Sequence, residues 1–387
     1  MERADVLVVG GGPAGATAAF QVARAGLDVM LVDRARFPRD KTCGESVSPG
    51  GIRRLESIGL SLRTLSSSSA MVPAFPIRGM RIHSPAATSF QGRYRNPENT
   101  SGAVLRRLDL DAALLRAAKE RGTRVLEGVE VLGVTESSLE GGEVRARVVG
   151  TSSEVRIAAR RIIVADGRSS FLARQLGFLE PAETRSPRFA VRAHCDGIEG
   201  LGDLAEMHVG SRGYCGIAPL SGSAANVCFV VFGRTVALKP DAMASGFRRH
   251  VLSFPGIAPR FQTARVVSPV RAIGPLRLRS RAVSSGAFVA CGDTTGFLDP
   301  FTGEGITHAI ASGAACAEAV ADSVRGDMSA FAGYKRRLVE MRGSKPAAAK
   351  LLFTLITRPA LANGTARLLA RAPRLADALV RFFGDQV

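Results

Sequence analysis

Short β-branched runs alternate with helical periodicity at the start of the chain. Val6 to Val9 form an apolar run that ends abruptly at glycines, as a buried strand does. Good helix formers follow from Ala14 to Ala25, and Gly26 stands where a helix commonly ends. A second strand, Asp28 to Val32, leads into Asp33. The pattern predicts a strand–helix–strand unit of an α/β protein.

Later segments change this pattern twice. From about residue 186 the apolar positions alternate without helical periodicity, which indicates an antiparallel sheet, and after about residue 306 the pattern is helical. We therefore predict a doubly wound α/β domain with an inserted antiparallel substrate domain and a helical C-terminal tail. The predicted limits are 1–75, 101–180 and 276–328 for the first domain, 76–100 and 181–275 for the second, and 329–387 for the tail.

Charge and cysteine usage exclude some classes of protein. The formal net charge is +18, but basic residues are spread along the 387 positions, Trp is absent and Tyr numbers three, so no platform for nucleic-acid bases is visible. The charge either reflects an arginine-rich source or serves a membrane or an acidic partner. Six cysteines without a C-x-x-C pair predict reduced thiols, with no disulfide framework and no metal site. No apolar run reaches the roughly 18 residues of a membrane span, and we expect a cytoplasmic protein without a signal peptide.

The glycines after the first strand form a dinucleotide motif. Gly10, Gly12 and Gly15 give G-x-G-x-x-G, which follows a strand, opens a helix and has an acid at Asp33. Glycines let the backbone approach a pyrophosphate, and an acid in this place accepts from a ribose hydroxyl. We predict an ADP-containing cofactor, held at Gly10, Gly12, Pro13, Ala14, Gly15, Asp33 and Arg34.

Two further stretches suit a flavin. A strand ending at Ala165 delivers Asp166 and Gly167, and another, ending at Cys291, delivers Gly292 and Asp293. The second continues as G-F-L-D-P-F-T-G-E-G-I, which approaches a helix that starts near Ile306. A carboxylate at a strand end can accept from a ribityl hydroxyl, and the positive helix end would face the pyrimidine edge of a flavin.

The three motifs in this order resemble the flavoprotein group of para-hydroxybenzoate hydroxylase, geranylgeranyl reductases and flavin-dependent halogenases. This resemblance covers about residues 5 to 325 and implies a doubly wound FAD-binding domain of the glutathione reductase type, with FAD as cofactor and NAD(P)H as a transient reductant. The chain has no second G-x-G-x-x-G, which suits this group, because its members lack a separate NAD(P) domain. It implies cofactor contacts at Cys43, Arg107, Val129, Asp166, Gly167, Gly292, Asp293, Pro300, Gly303, Gly305 and Ile306.

Within the group, the loop F-P-R-D-K-T-C-G-E at 37–45 is similar to the F-P-R-x-K-x-C-G loop of geranylgeranyl reductases. The motif around Tyr214 and Pro219 keeps only those two residues of that family's aromatic segment. Gly44-Glu45-Ser46 is similar to a halogenase segment. However, the halogenase W-x-W-x-I-P motif is absent, and no lysine occurs between Lys41 and Lys119 where the halide-activating lysine is expected. These absences disfavour halogenation.

Three residues are candidates for catalysis. Cys43 is either a proton donor beside the flavin, as the resemblance implies, or a small loop residue without a chemical role. Glu45 is either a base or a residue that solvates the loop. His308 follows Gly305 closely and is either an acid–base group or a structural histidine.

The last predicted helix is basic and amphipathic. Leu375, Leu379 and Phe382 share a face that Arg374 and Arg381 flank. Such a helix either packs on the body of the protein or lies on a membrane with its arginines at the surface. Peripheral membrane contact would suit a lipophilic substrate.

The leading prediction for the reaction is an NAD(P)H-dependent monooxygenase that hydroxylates an apolar or aromatic metabolite, because a dry pocket can protect a reactive flavin–oxygen species. The first alternative is reduction or dehydrogenation of a lipid or isoprenoid double bond, with Cys43 as proton donor. The second is a flavoenzyme that acts on a protein-bound or carrier-bound substrate and docks through its basic surface.

Overall fold

The structure is a computed structural model that describes residues 2–63, 74–94, 101–181, 187–233, 243–297 and 300–384. Asp299 of the glycine-rich stretch lies outside these ranges, and all structural statements below refer to the residues within them. The strands in chain order are β1 (Glu2–Val9), β2 (Val29–Asp33), β3 (Ser46–Val47), β4 (Phe75–Ile77), β5 (Gly79–His83), β6 (Ser89–Arg93), β7 (Gly102–Val104), β8 (Arg124–Glu127), β9 (Val129–Ser137), β10 (Gly142–Val148), β11 (Glu154–Val164), β12 (Arg188–Asp196), β13 (Ala205–Gly210), β14 (Gly213–Pro219), β15 (Ala225–Phe232), β16 (Arg265–Val266), β17 (Arg271–Ile273), β18 (Ser284–Ser285) and β19 (Phe288–Ala290).

Four of the α-helices begin at proline, which suits the first helical position, and the side chains of Ser48 and Ser170 cap the second and fourth helices of the chain. The α-helices are α1 (Pro13–Arg24), α2 (Pro49–Ser57), α3 (Arg107–Glu120), α4 (Phe171–Gln175), α5 (Met243–Val251), α6 (Gly305–Val324), α7 (Ala330–Arg342), α8 (Lys345–Ile356), α9 (Pro359–Arg371) and α10 (Pro373–Gly384). No described helix is long and apolar enough to cross a bilayer.

The first sheet has eight strands, six of them in the order β18-β19-β11-β1-β2-β8. Strand β1 is parallel to both β2 and β11, and all of Val6, Leu7 and Val8 are fully buried. One face packs on α1 and α6, whose small residues allow a close approach: a Cβ on Gly313 of α6 would overlap the carbonyl oxygen of Ala14 in α1. The other face is covered by the antiparallel strands β9 and β10 and by α4. The predicted α/β class is confirmed.

The second sheet also has eight strands, in the order β16-β12-β15-β14-β13-β5-β6 with β17 beside β12. Its long strands β12, β14 and β15 pair antiparallel in the region where the sequence pattern alternates. Strands β3, β4 and β7 form a small third sheet. Helices α9 and α10 pack against β6 at the edge of the second sheet. Leu352 and Phe353 of α8 pack against a core cluster that contains residues of the same sheet. This arrangement brings the second sheet, the loop after β2 and the C-terminal helices around one space.

Candidate active site

The glycine motif forms a tight turn between β1 and α1. Gly10 has φ +106°, and a Cβ there would lie 2.5 Å from the oxygen of Ala165. A Cβ on Gly15 would overlap the oxygen of Gly10. Gly12 is different, since its open side meets only guanidinium nitrogens of Arg39 and Arg107, 3.6 and 3.9 Å from a Cβ position. Gly10 and Gly15 therefore permit the turn, whereas Gly12 leaves space for a ligand at the start of α1.

Asp33 holds this turn from behind. One carboxylate oxygen accepts from the backbone N–H of Gly11 at 2.7 Å and the other from Ala35 at 2.8 Å. Asp33 is buried at the end of β2, while Arg34 beside it is exposed. The structure thus places the predicted ribose acid at the turn, where it also fixes the loop geometry.

Two guanidinium groups share one carboxylate beside Gly12. Asp111 of α3 accepts from Arg107 at 2.6 and 2.7 Å and from Arg39 at 2.9 Å. Burial alone would lower the pKa of Arg107, but its ion pair with Asp111 raises that pKa above the usual range. One carboxylate with two cations leaves a net positive charge beside an uncapped helix start, which suits a pyrophosphate. Arg39 and Asp111 were not predicted from the sequence; the basic loop at 37–45 was the available signal.

The main cavity lies between the glycine turn, the loop after β2 and the second sheet, and about 1670 Å³ within its lining is free of protein atoms, open solvent at its mouth included. The second sheet contributes mainly apolar residues to this lining, such as Ile217 and Val230, together with the charged Glu206. Most predicted site residues line it, namely Gly12, Pro13, Ala14, Cys43, Glu45, Arg107, Gly167, Gly292, Asp293, Pro300, Gly303, Gly305 and Ile306.

The remaining predicted residues lie elsewhere. Gly10, Gly15 and Asp33 support the turn from behind, and Asp166 lies between two residues that line the main cavity. Val129 opens β9 and is buried in the core of the first sheet. Neither Val129 nor Arg34 lines the main cavity.

Lys41 is a half-buried cation in the main cavity that the sequence reasoning missed. Its Nζ lies 3.1 Å from the position of a Cβ on Gly167. Burial and the nearby Arg107 lower the pKa of the Lys41 ammonium, and Asp293 opposes this change. Lys41 therefore adds a third basic group between the two predicted flavin-binding strand ends.

Asp166 carries a buried polar atom without a partner. Its Oδ1 is buried and makes no hydrogen bond within the described chain. Burial raises the pKa of the Asp166 carboxyl to about 6. An unsatisfied acceptor at this place fits a ligand hydroxyl, as the ribityl chain of FAD provides.

We expect Asp166 to make stability depend on pH in protein stripped of FAD. Since the folded pKa is about 6 and the ordinary value is 3.8, the folded state keeps a proton that the unfolded chain loses between these values. Stability therefore falls by about 3 kcal/mol as pH rises from about 4 to about 6, and then levels off. Asp166→Asn removes this fall. Urea unfolding of both proteins across this pH range measures the difference; parallel curves would contradict the expectation.

Glu45 joins the second sheet to the cofactor loops. It is 1% exposed and has φ +61°. Its carboxylate accepts from His194 Nε2 at 2.8 Å, from the backbone of Arg107 at 3.0 Å and from Arg192 at 3.4 Å. Arg192 is fully buried on β12 and also binds Asp40. The prediction that Glu45 solvates its loop is wrong, because the surrounding cations and the burial make it the centre of an internal ion-pair network.

Cys43 lies half-buried in the wall of the main cavity. Its Sγ accepts from the backbone N–H of Glu45 at 3.4 Å, and its backbone oxygen accepts from Asn226 at 2.8 Å. Cys228 and Tyr214 of the second sheet line the same cavity. Burial, followed by the neighbouring Cys43, raises the pKa of Cys228 to about 12, so Cys228 is a thiol at neutral pH. The arrangement places two thiols between the cofactor loops and the apolar wall.

His308 belongs to a different cavity. Its Nε2 lies 3.1 Å from the hydroxyl of Thr295, and its neighbours there include Glu304, Arg342 and Lys345. Burial, helped by Arg342, lowers the pKa of His308 to about 4, so the ring is neutral at pH 7. The structure does not bring His308 to the cavity that holds Cys43 and Glu45.

A histidine cluster on the second sheet also escaped the sequence reasoning. His83, Glu206 and His208 place one potential ligand atom each within 4.8 Å of one another. Both oxygens of Glu206 accept from Arg260, at 2.7 and 3.0 Å, and the two imidazole rings stack at 4.1 Å. Parallel rings cannot both aim their in-plane nitrogens at one metal ion. In this arrangement the carboxylate of the cluster is instead ion-paired with Arg260.

The glycine turn, the guanidinium pair and the orphaned Asp166 oxygen fit FAD, with Gly12, Arg39 and Arg107 near its pyrophosphate and Asp166 near its ribityl chain. Fold and site together define an FAD-dependent oxidoreductase. The chain belongs to the FAD binding domain family, whose model matches residues 3–330.

Similar proteins include two kinds of reductase. The whole chain is 30% identical to a menaquinone reductase of Mycolicibacterium smegmatis and covers 92% of it. Over 84% of its length it is 29% identical to digeranylgeranylglycerophospholipid reductase 1 of Methanothermobacter thermautotrophicus, covering 79% of that protein. These matches and the family model confirm the resemblance drawn from the motifs.

Solved structures show the same fold. A flavin-dependent brominase aligns over 99% of this chain and 93% of its own, with a TM-score of 0.83 and 21% identity. A geranylgeranyl bacteriochlorophyll reductase-like protein of Thermoplasma acidophilum aligns over 100% of this chain and 93% of its own, with a TM-score of 0.73 and 22% identity.

Proposed function

We propose that this enzyme reduces a carbon–carbon double bond in the isoprenoid chain of a lipid, with NAD(P)H as the source of electrons. The observation that carries the proposal is the position of Cys43, a thiol in the wall of a cavity that is apolar on its substrate side. Menaquinone and digeranylgeranylglycerophospholipid, after which the two similar reductases are named, share an isoprenoid chain.

Each group of residues around the main cavity has a separate role in the proposed reaction. FAD, which Gly12, Arg107 and Asp166 would hold, would supply a hydride for one carbon of the double bond. The apolar wall formed by the second sheet orients the chain and excludes water. The Sγ–H of Cys43 gives its proton to the other carbon, and the thiolate regains a proton from solvent, so that one hydride and one proton saturate the bond. Arg107 and Lys41 hold the cofactor end of the cavity positive.

The test is anaerobic incubation of the yellow holoenzyme with NADPH and a menaquinone that carries a polyprenyl chain, followed by mass spectrometry. Reduction of the quinone ring to a quinol would also add two hydrogen atoms, so the extract is reoxidised in air before the measurement. We then expect a quinone that is heavier by two hydrogen atoms in its polyprenyl chain. Hydroxylation, the leading prediction from the sequence, remains a separate expectation, and it would instead give a product that carries ¹⁸O when the reaction is run under ¹⁸O₂. An inert polyprenyl substrate under both conditions would contradict the proposal.

Replacing Cys43 by alanine tests its proposed role. We expect the rate of double-bond reduction to fall by about 10²-fold or more, since a positioned acid contributes that much, while the FAD content stays constant. Cys195→Ala is the control, because Cys195 is buried outside the main cavity. Cys43→Ala with an unchanged rate would remove the proton-donor role and leave the thiol as a small wall residue.

Membrane contact through the C-terminal helices is part of the proposal. Helices α8 to α10 expose Leu351, Leu361, Leu368 and Leu375, which are 42 to 63% exposed. The stretch from Lys345 to Gly384 contains seven basic residues and one acid, Asp377. Apolar side chains among cations suit an anionic bilayer, which would deliver a lipid substrate.

Vesicle binding measures this contact. We expect the holoenzyme to sediment with phosphatidylglycerol vesicles, and the Leu361→Asp, Leu368→Asp double variant to bind about tenfold more weakly, because it loses apolar contact and adds repulsion. Leu139→Asp is the matched control, since Leu139 is 64% exposed on a turn of the first sheet, between β9 and β10. Equal binding of all three proteins would contradict the assignment of these helices.

A further inference from the structure

A second, smaller cavity adjoins the main cavity beneath the C-terminal helices. About 690 Å³ within its lining is free of protein atoms, open solvent included. Four residues line both cavities: Met80, Phe301, Val380 and Phe383. We call the smaller cavity the rear chamber. The four shared residues place the rear chamber directly beside the main cavity.

The rear chamber is almost wholly apolar. Strands β5 and β6 contribute Ile82 and Phe90, α8 contributes Leu352 and Leu355, and α9 contributes Ala366 and Leu369. Ser84 and Thr365 are the polar residues among the described lining, and none of the lining residues is charged. A cavity with so few polar partners for water favours an apolar ligand.

Helix α10 forms the partition between the two cavities, and it is firmly seated. A Cβ on Gly92 of β6 would overlap the backbone oxygen of Ala376, and a Cβ on Gly384 would overlap the ring of Tyr94. The carboxylate of Asp377 accepts from the backbone N–H of Arg93 at 2.8 Å. Since backbone meets backbone here, α10 fixes Val380 and Phe383 in the lining that the two cavities share.

We propose that the rear chamber binds the far end of the substrate's apolar chain, and that Val380 and Phe383 determine how the chain passes from the reacting bond into it. This inference rests on the proposed function and identifies the ligand class as a linear isoprenoid longer than the main cavity. A compact aromatic substrate would leave the rear chamber without a role. The C-terminal helices then determine which chain lengths bind well, at a distance from the reacting double bond.

Direct binding tests the chamber without catalysis. The probes are geraniol, farnesol and geranylgeraniol, prenyl alcohols of increasing length, titrated into oxidised holoenzyme while the flavin spectrum or equilibrium dialysis reports binding. For the native enzyme we expect Kd to fall by about tenfold or more from geraniol to geranylgeraniol, because each added unit buries apolar surface. Ala366→Phe fills the chamber. It is expected to leave the Kd of geraniol unchanged and to abolish the gain for geranylgeraniol.

Two further variants keep the test decisive. Ala362→Leu fills the same chamber with a smaller side chain, in case Ala366→Phe fails to fold. Ala370→Phe adds the same ring at an exposed position of α9 and is expected to bind like the native enzyme. If the filled variants bind all three alcohols as the native enzyme does, or weaken all three equally, the rear chamber does not hold the chain.

The outcomes separate this inference from the reaction itself. Chain-dependent binding without reduction of any polyprenyl substrate would uphold the rear chamber and overturn the proposed reaction. Reduction of polyprenyl substrates with the same Kd and KM at every chain length, in native and filled enzymes, would uphold the reaction and overturn the rear chamber.

Discussion

Gly15→Ala is expected to abolish FAD binding. A Cβ at this position would overlap the carbonyl oxygen of Gly10, and both atoms belong to the turn that carries the pyrophosphate side of the site. Because the clash is with backbone, relief requires α1 to move away from β1, and the cradle at Gly12 opens. We expect flavin content after purification to fall below about a tenth of the native value, given the close approach that this glycine permits.

Gly364→Ala is the matched control for that change. Gly364 lies within α9, and a Cβ there meets nothing within 4 Å. Alanine in a helix interior is more favourable than glycine by about 1 kcal/mol, so the control is expected to keep its FAD and to unfold at a slightly higher temperature. Flavin absorbance per protein and FAD titration of the stripped proteins give the comparison. A Gly15→Ala protein with native FAD affinity would show that the turn does not form the cofactor site.

Glu45→Leu is expected to destabilise the protein by about 3–5 kcal/mol, because removing one partner leaves buried charge uncompensated. Arg192 is fully buried and would keep Asp40 as its remaining acidic neighbour. His194 and the backbone N–H of Arg107 would also lose an acceptor. Urea unfolding of the holoenzyme measures the loss.

Two comparisons sharpen the Glu45 experiment. Glu45→Gln keeps an acceptor oxygen of the same reach and is expected to lose less stability than Glu45→Leu. Glu136→Leu replaces an exposed glutamate on β9 and is expected to change stability by less than about 0.5 kcal/mol. If Glu45→Leu unfolds at the same denaturant concentration as Glu136→Leu, the network around Glu45 contributes little to the fold.

The first sheet was predictable because local sequence and tertiary role agree there. The β-branched run at Val6 to Val9 is buried on both faces, and Gly10 and Gly15 after it are required by backbone contacts. The strand–helix–strand reading therefore identified β1, α1 and β2, although β1 begins earlier, at Glu2, where pairing with β11 continues. The order of strands within each sheet depends on contacts between distant segments, which no local pattern contains.

The site was predictable only in part, for a similar reason. Motif glycines and strand-end acids are visible in the sequence because their chemistry depends on local backbone. The role of Glu45 depends on Arg192 and His194, which come from a strand about 150 positions later. Likewise, His308 is close to Gly305 along the chain, yet the first turn of α6 directs it into another cavity. The roles of Lys41 and Arg39 in the site depend on their contacts with α3 and the strand ends, which are distant in sequence.

The C-terminal tail shows the same limit. The periodicity predicted one amphipathic face on the last helix, with Leu375, Leu379 and Phe382. The structure divides this face, because Leu375 is exposed whereas Leu379 is half-buried and lines the rear chamber. Phe383, next to the predicted face in sequence, is buried in the wall of the main cavity. The sequence left two alternatives for this helix, packing on the body of the protein or contact with a membrane. In the structure, different residues of α10 are available for each. Hydrophobicity alone does not distinguish a side chain that meets substrate from one that meets solvent or lipid.

The ion-pair network around Glu45 has a consequence for recombining members of this family. Arg192 and His194 belong to the second sheet, whereas Asp40 and Glu45 belong to the loop that follows β2. A chimaera that takes only the second sheet from another family member would place that member's side chains at positions 192 and 194 beside Asp40 and Glu45 of this chain. To transfer substrate preference between two such enzymes, residues 39–45 must be exchanged together with the second sheet as one unit.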